Sequence, residues 1–162
     1  MNSKIKKPII SAPEEPERTK RTYLFPDGSK YAGEVKIEDG KSMRDGIGEF
    51  TTPFERYVGS WKNDMMEGQG KLFFSSGAKY EGFFMNNMMH GVGTYRWPIR
   101  EIQTPHKSVE APVIGAAVYE GNWANNKMNG NGCFTDENGV KFHGLFHNGT
   151  FTNSLSKAVL NR

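Results

Sequence analysis

The first candidates for chemistry in this sequence are small groups of glycine, histidine and cysteine. Gly91-Val92-Gly93 has the spacing of a glycine-rich phosphate loop, whose free backbone N–H groups bind phosphate oxygens, usually at a helix N-terminus. His143 and His147 are four residues apart, the spacing at which two imidazoles on one helix face bind a metal ion. Cys133, the single cysteine, is a candidate nucleophile. Each hypothesis requires a particular element around these residues.

A repeated unit, aromatic-x-Gly-x-apolar, shows which elements these are. Its five copies begin at Tyr31, Tyr57, Tyr80, Tyr119 and Phe142, with spacings of 26, 23, 39 and 23 residues. Between the two halves of each copy stands a residue pair that tolerates positive φ: Asp39-Gly40, Asn63-Asp64, Asn86-Asn87, Asn125-Asn126 and Asn148-Gly149. A Gly-x-Gly pair follows the turn in each of the first four copies. Two-residue type I′ turns need positive φ, so each copy is predicted to be a β-hairpin.

Counting outward from each turn predicts the cross-strand partners. Three pairs join an aromatic residue to a methionine: Trp61 with Met66, Phe84 with Met89 and Trp123 with Met128. Three pairs involve glycine: Gly82 with Gly91, Tyr80 with Gly93 and Tyr31 with Gly48. Strand alternation puts these positions on one sheet face, where glycine leaves room for a tyrosine ring to lie across the opposite strand. The repeated Gly-x-Gly is therefore interpreted as part of a strand ladder and not as a phosphate loop.

The hairpin interpretation also argues against the other chemical sites. His143 and His147 lie near a hairpin turn, with no acid or thiol at ligand spacing. Cys133 falls on the face opposite the aromatic stripe, without a histidine or carboxylate pattern that marks a nucleophile. Serines lack a nucleophile elbow, and paired carboxylates do not recur. We therefore expect no catalytic residues, no metal, no cofactor and no enzymatic activity.

The combination of Tyr-x-Gly-x-Trp, an Asn turn and Gly-x-Gly at a 23-residue period resembles the MORN (membrane occupation and recognition nexus) repeat family, over roughly residues 23–151. The resemblance implies an all-β fold, an elongated single-layer antiparallel meander of hairpins with the aromatic stripe on a concave face. It does not imply an enzyme. Stand-alone members of the family are typically scaffolds of cilia, flagella and other cytoskeletal structures, which implies protein partners in a larger assembly.

Composition and segment boundaries fit a repeat array. A hydrophobic content of 36% with 19 glycines in 162 residues is poor material for a thick two-layer core. Residues 1–21 are predicted to be a flexible arm that is basic and contains proline, and 22–151 the array. An inserted loop occupies about 99–117, and 152–162 form a C-terminal cap or tail. Leu155, Ala158 and Val159 recur at helical spacing after Ser154, which favours a short C-terminal helix.

The aromatic stripe has two interpretations. Its rings form the core of the array, or they remain partly open and bind a partner helix or strand, because a single layer cannot fully bury one face. The predicted partner-binding residues on this face are Tyr57, Trp61, Met66, Tyr80, Phe84, Met89, Trp97, Tyr119, Trp123 and Met128. Further candidates in the loop and arm are Arg100, His106, Lys107, Lys4, Lys6 and Lys7. Three alternatives stay open for the loop at about 99–117: it contacts a partner, it covers a face of the sheet, or it is disordered. The arm at 1–21 is either a solvated tail or a segment that docks on a partner.

Charge narrows the classes of partner. The net charge of +3 arises within residues 1–22, which hold six basic and three acidic side chains, so the body is neutral and gives no basic groove for nucleic acid. The leading hypothesis is a non-enzymatic scaffold or adaptor in a ciliary, axonemal or other microtubule-based assembly. The alternative is a peripheral membrane tether that recognises acidic phospholipids through Lys4, Lys6 and Lys7. No signal peptide or membrane span is recognised, so we expect a cytoplasmic protein.

Overall fold

The computed structural model describes residues 17–99 and 115–152, and all its regular elements are β-strands. The strands are β1 (Arg18–Leu24), β2 (Lys30–Glu38), β3 (Lys41–Thr51), β4 (Glu55–Lys62), β5 (Met65–Phe74), β6 (Lys79–Met85), β7 (Met88–Arg96), β8 (Val118–Ala124), β9 (Lys127–Thr135), β10 (Lys141–His147) and β11 (Thr150–Thr152). They form one antiparallel sheet whose strand order follows the chain. The predicted all-β meander of hairpins is therefore confirmed. The predicted C-terminal helix lies outside the described residues.

The hairpin turns have the backbone conformation that their sequence predicts. Asn86 and Asn87 have φ angles of 50° and 64°, and the pairs 63–64 and 125–126 have almost the same values. The first and last turns, at 39–40 and 148–149, are also at positive φ. Asn and Asp enter this region more readily than other residues because their short polar side chains bond locally. The turn residues therefore fix where each hairpin reverses. Within the two described ranges, no helix is long and apolar enough to cross a membrane.

The two glycines of each Gly-x-Gly pair have different roles. In β7, Gly91 has a φ of 60°, whereas Gly93 lies opposite Gly82 of β6. The register shifts by two residues between Gly82 and Phe83, which is a β-bulge in β7. The same shift occurs in the hairpins that contain Gly46, Gly68 and Gly130, all at positive φ. Within its own hairpin, the first glycine of each pair thus forms the bulge and only the second is paired. Toward the following hairpin the first glycine is paired as well, for example Gly91 with Trp123.

The bulge corrects part of the predicted register. Between turn and bulge the predicted pairs are confirmed: Trp61 with Met66, Phe84 with Met89 and Trp123 with Met128. Beyond the bulge the prediction is wrong by two residues, so that Gly82 pairs with Gly93, Tyr80 with Tyr95 and Tyr31 with Phe50. The prediction failed because a bulge glycine and a ladder glycine read alike in the sequence. A shift of two residues keeps each side chain on its predicted face.

A row of paired glycines crosses the sheet from β2 to β10. Its members are Gly33, Gly48, Gly59, Gly70, Gly82, Gly93, Gly121, Gly132 and Gly144. A Cβ atom on Gly82 would lie 2.5 Å from the Cα of Gly93, and one on Gly93 would overlap the phenol of Tyr80. The prediction that glycine makes space for tyrosine rings therefore holds, although the ring seats follow the corrected register.

The amino-terminal edge of the sheet begins earlier than predicted. Strand β1 starts at Arg18, so the last four residues of the predicted 1–21 arm pair with β2. Arg18 donates from Nε to Oδ1 of Asp45 on β3 at 2.8 Å, and Asp45 is only 5% exposed. A buried carboxylate needs such a partner. The ladder with β2 and this ion pair together hold a segment without apolar alternation in the sheet.

Candidate functional site: the aromatic face

The aromatic face is the side of the sheet on which the repeat tyrosines lie over the glycine row. Each phenol donates a hydrogen bond to a backbone carbonyl three residues later: Tyr31 to Glu34 at 2.6 Å, Tyr57 to Ser60 at 2.9 Å, Tyr80 to Phe83 at 2.9 Å and Tyr119 to Asn122 at 3.0 Å. These bonds satisfy the hydroxyl groups inside an apolar layer. Each tyrosine is thereby held flat against its own hairpin.

The rings of neighbouring hairpins cover each other. Tyr80 lies 5.1 Å from Phe84 of its own hairpin and 5.2 Å from Trp123 of the next, both measured between ring centroids and both near perpendicular. Tyr57 repeats this arrangement, at 5.2 Å from Trp61 and 4.9 Å from Phe84. Such edge-to-face pairs contribute roughly 0.5–1.5 kcal/mol beyond their buried area. The rings packed edge to face therefore form a continuous core that needs no second layer of secondary structure.

Six of the predicted partner-binding residues belong to this core and are at most 6% exposed: Tyr57, Trp61, Tyr80, Phe84, Tyr119 and Trp123. The expectation that a single layer leaves its rings open is wrong at these positions. The reason is the perpendicular packing between hairpins, which a count along one hairpin does not reveal. The core interpretation of the stripe holds for these residues.

Burial of the phenols changes their acidity. Removal from water raises the pKa of Tyr31 to about 12 and also raises the pKa of Tyr57, Tyr80, Tyr95 and Tyr119 above its ordinary value. The cause is desolvation, which disfavours the phenolate. At neutral pH these hydroxyl groups are protonated, and those of Tyr31, Tyr57, Tyr80 and Tyr119 donate the hydrogen bonds described above.

An outer layer of partly buried side chains covers the core and forms the accessible part of the aromatic face. Its members are Tyr23, Phe50, Met66, Phe74, Met89, Tyr95, Trp97, Met128 and Phe134. Four predicted partner-binding residues are among them, namely Met66, Met89, Trp97 and Met128. In the first hairpin, Arg44 occupies the place of these methionines, and its guanidinium carbon lies 4.2 Å from the centroid of the Trp61 ring.

Turns of the following hairpins fix the backbone below the methionines. Asn87 donates its N–H to the carbonyl of Met66 at 3.1 Å, and its Oδ1 accepts the Met66 N–H at 2.8 Å. Asn126 makes the same two bonds with Met89, at 3.1 and 2.8 Å. The methionine side chains, which have several rotatable bonds, thus stand on a rigid frame. Adaptable side chains on a fixed backbone suit contact with another apolar chain.

The opposite face holds the remaining candidates for chemistry. The sheet brings Cys133 and His143 together, with Sγ 3.6 Å from Nε2, a pairing that sequence analysis missed because it depends on the register between β9 and β10. His147 contacts Asn148 instead. Within the described ranges no three histidine, cysteine, aspartate or glutamate side chains are placed to hold a metal ion. The thiol–imidazole contact is exposed on a flat strand surface. Gly91 and Gly93 belong to β7 and not to a helix N-terminus, so they do not form a phosphate loop.

The amino-terminal end of the aromatic face carries a cleft of about 810 Å³. Side chains from the 25–29 loop and from strands β1 and β3 line it, together with Asp64 of a neighbouring turn. We call it the β1 cleft. Sequence analysis missed it because its walls come from segments up to about forty positions apart. The candidates Arg100, His106, Lys107, Lys4, Lys6 and Lys7 lie outside the described residues.

Comparison with known proteins finds a repeat family and related sequences. The MORN repeat matches residues 57–79, 80–100 and 119–141. Alsin from Rattus norvegicus and Alsin from Homo sapiens are each 30% identical to this chain over 142 residues. The alignments cover 76% of this chain but 8% of Alsin, so the chain spans a small part of these relatives.

Proposed function

This chain contains MORN repeats, and we propose that it is a non-enzymatic scaffold that binds other polypeptides along its aromatic face. MORN repeats are non-catalytic modules that generally contact proteins or membranes. The observation that carries the proposal is the outer layer of half-buried methionine and aromatic side chains on a hydrogen-bonded frame.

The outer layer supports a polypeptide partner because of its chemistry. Met66, Met89 and Met128 lie at the same place in three hairpins, and the rings of Tyr95, Trp97 and Phe134 lie toward the other end of the same strands. Unbranched thioethers adapt to irregular apolar surfaces, as in other Met-rich binding sites. An apolar segment of a partner that covers this layer removes it from water, which drives association.

We further propose that the assembly is ciliary, axonemal or otherwise microtubule-based, with the protein on its cytoplasmic side. The regular array and the likeness to scaffold repeats support this location. A tagged chain expressed in ciliated cells should concentrate on such structures. A uniformly diffuse signal would count against the location while leaving the binding face unaffected.

Photo-cross-linking tests the binding face directly. The full chain is prepared with photo-methionine, incubated with ciliated-cell extract, irradiated, and the linked peptides are located by mass spectrometry. We expect cross-links to partner peptides at Met66, Met89 and Met128. Met65 and Met88 are internal controls, because adjacent strand positions point to opposite faces. Cross-links confined to the control methionines would contradict the proposal.

Substitution gives a second test with a matched control. Replacing Met66, Met89 and Met128 by Gln should abolish co-purification of the partner proteins identified by cross-linking, whereas replacing Ile47, Phe83 and Val92, which are exposed on the opposite face, should leave it intact. Co-sedimentation with acidic phospholipid vesicles separates the membrane alternative. Vesicle binding that is lost when residues 1–16 are removed would favour a tether that uses Lys4, Lys6 and Lys7.

A further inference from the structure

The β1 cleft has rigid aromatic walls. Tyr23 and Phe25 have ring centroids 6.5 Å apart, and Phe25 and Phe50 are 6.2 Å apart with an interplanar angle of 73°. The loop that carries Phe25 is closed by two backbone hydrogen bonds, from Phe25 N to Ser29 O at 2.9 Å and from Gly28 N to Phe25 O at 3.0 Å. Three rings thus line an open cleft that is large enough for a side chain of a peptide.

The charged groups of the cleft favour a cation. Asp27 and Asp64 supply two carboxylates against the single guanidinium of Arg44, which leaves one net negative charge among the lining residues. Arg44 is already engaged, since Nε and Nη2 donate to Oδ1 and the carbonyl of Asp64 at 3.1 and 2.9 Å. Its guanidinium carbon also lies 4.2 Å from the ring centroid of Trp61 and 5.3 Å from that of Phe50. Asp27 accepts bonds from the hydroxyl and the N–H of Ser29, at 2.6 and 2.9 Å. These bonds lower the pKa of the Asp27 carboxyl, so it is ionised at neutral pH.

We infer that the β1 cleft binds the cationic side chain of a partner peptide, with the rings of Tyr23 and Phe25 beside the cation and Asp27 as its counter-ion. The quadrupole of an aromatic ring attracts cations to its face, and several rings with a nearby carboxylate strengthen that attraction. This inference deepens the proposed function, on which it rests, by naming the chemistry of one contact of the partner.

Titration of the full chain with short peptides, followed by ¹H–¹⁵N NMR, tests the inference. The probes are acetyl-Gly-Lys-Gly-amide, the isosteric neutral peptide with norleucine, and the acidic peptide with glutamate. We expect the lysine peptide to shift the amides of Phe25, Asp27 and Arg44 and to bind roughly threefold or more tightly than the norleucine peptide. Tighter binding of the glutamate peptide would overturn the inference.

Variants locate the binding. Asp27→Asn, which keeps an oxygen for Ser29, should weaken lysine-peptide binding by roughly threefold and abolish the preference over norleucine. Phe25→Ala should weaken it at least as much. Phe142→Ala is the matched control, because Phe142 is 39% exposed and Phe25 38%, at opposite ends of the sheet. Thermal unfolding checks that each variant is folded, and an unchanged affinity in Asp27→Asn would contradict the inference.

Two further outcomes separate this inference from the proposed function. Lys4, Lys6 and Lys7 of the same chain can compete with the added peptide, so the titration is repeated with these residues changed to Gln. If neither the unmodified chain nor this variant binds the lysine peptide more tightly than the norleucine peptide, the inference is overturned. The methionines used for photo-cross-linking do not line the cleft. Cross-links at Met66, Met89 and Met128 without a lysine preference would therefore refute the cation site alone, and the converse result would refute the methionine surface alone.

Discussion

At the scale of single residues, the ladder glycine shows how an absent side chain specifies a core. A side chain on Gly93 would overlap the Tyr80 phenol. We predict that Gly93→Val lowers the free energy of unfolding by about 3 kcal/mol, because an overpacked core displaces its neighbours. Chemical denaturation measures the change.

The matched control for this substitution is Gly115→Val. Among the described residues, the nearest atom to a Cβ there is the carbonyl oxygen of Glu137 at 3.5 Å, an ordinary contact. It should change the free energy of unfolding by less than about 1 kcal/mol. Equal stability of Gly93→Val and the unmodified protein would show that the Tyr80 ring is not seated on Gly93.

Residue identity predicted the positions of the turns, but it did not predict the structural role of every glycine. The residue types of Asn86 and Asn87 predict positive φ, because few other residues adopt it, and both have positive φ in the structure. Gly91 and Gly93 are the same residue type, yet one forms a bulge and the other a ring seat. A glycine has no side chain that distinguishes these roles, so sequence reasoning placed both in one regular ladder.

At the scale of elements, the hairpins are joined by turn side chains as well as by the ladder. Asn87→Gly keeps a residue that tolerates the φ of 64° but removes the oxygen that accepts the Met66 N–H. We predict a loss of about 1 kcal/mol in unfolding free energy. Hydrogen exchange at the Met66 amide should become faster.

Asn86→Gly is the control, since it changes the neighbouring turn residue in the same way. The N–H of Asn86, which donates to the Glu67 carboxylate at 3.0 Å, is retained in that variant. Exchange at Met66 should be unaltered. If both variants accelerate exchange at Met66 equally, the effect belongs to the turn in general and not to the Asn87 side chain.

Element contacts also explain which parts of the site could not be predicted. The spacing of the turns predicted the positions of the hairpins and the face of the sheet on which Trp61, Phe84 and Trp123 lie. It did not give their burial, because the covering rings come from adjacent hairpins. The start of strand β1 was predicted too late, because Arg18 pairs with Lys36 and bonds to Asp45, and no local pattern encodes these contacts.

At the scale of the whole molecule, the buried tyrosines link stability to alkaline pH. Burial raises the pKa of Tyr31 to about 12, and the pKa of Tyr57 and Tyr80 also rises, from an unfolded value of about 10. The folded state therefore holds these protons more tightly. The resulting stabilisation is complete below about pH 10 and is lost as pH rises toward the folded pKa.

We therefore predict that the midpoint of thermal unfolding falls steadily between about pH 10 and pH 12. Tyrosinate absorbance should rise together with the loss of sheet structure. Tyr80→Phe should reduce the slope of stability against pH, although it also removes the hydrogen bond to Phe83. Ionisation of all tyrosines near pH 10 in a still-folded protein would contradict this account.

The methionine row has a fixed repeat length. Met66, Met89 and Met128 lie on β5, β7 and β9, two strands apart. With about 4.8 Å between strands, successive methionines are about 9.6 Å apart along the direction that crosses the sheet. That distance equals about three residues of extended chain, or between six and seven residues of α-helix. Residues three apart in an extended strand point to opposite sides, so a strand cannot present successive side chains to the row. A helical partner lying along the row would meet the methionines close to once per heptad.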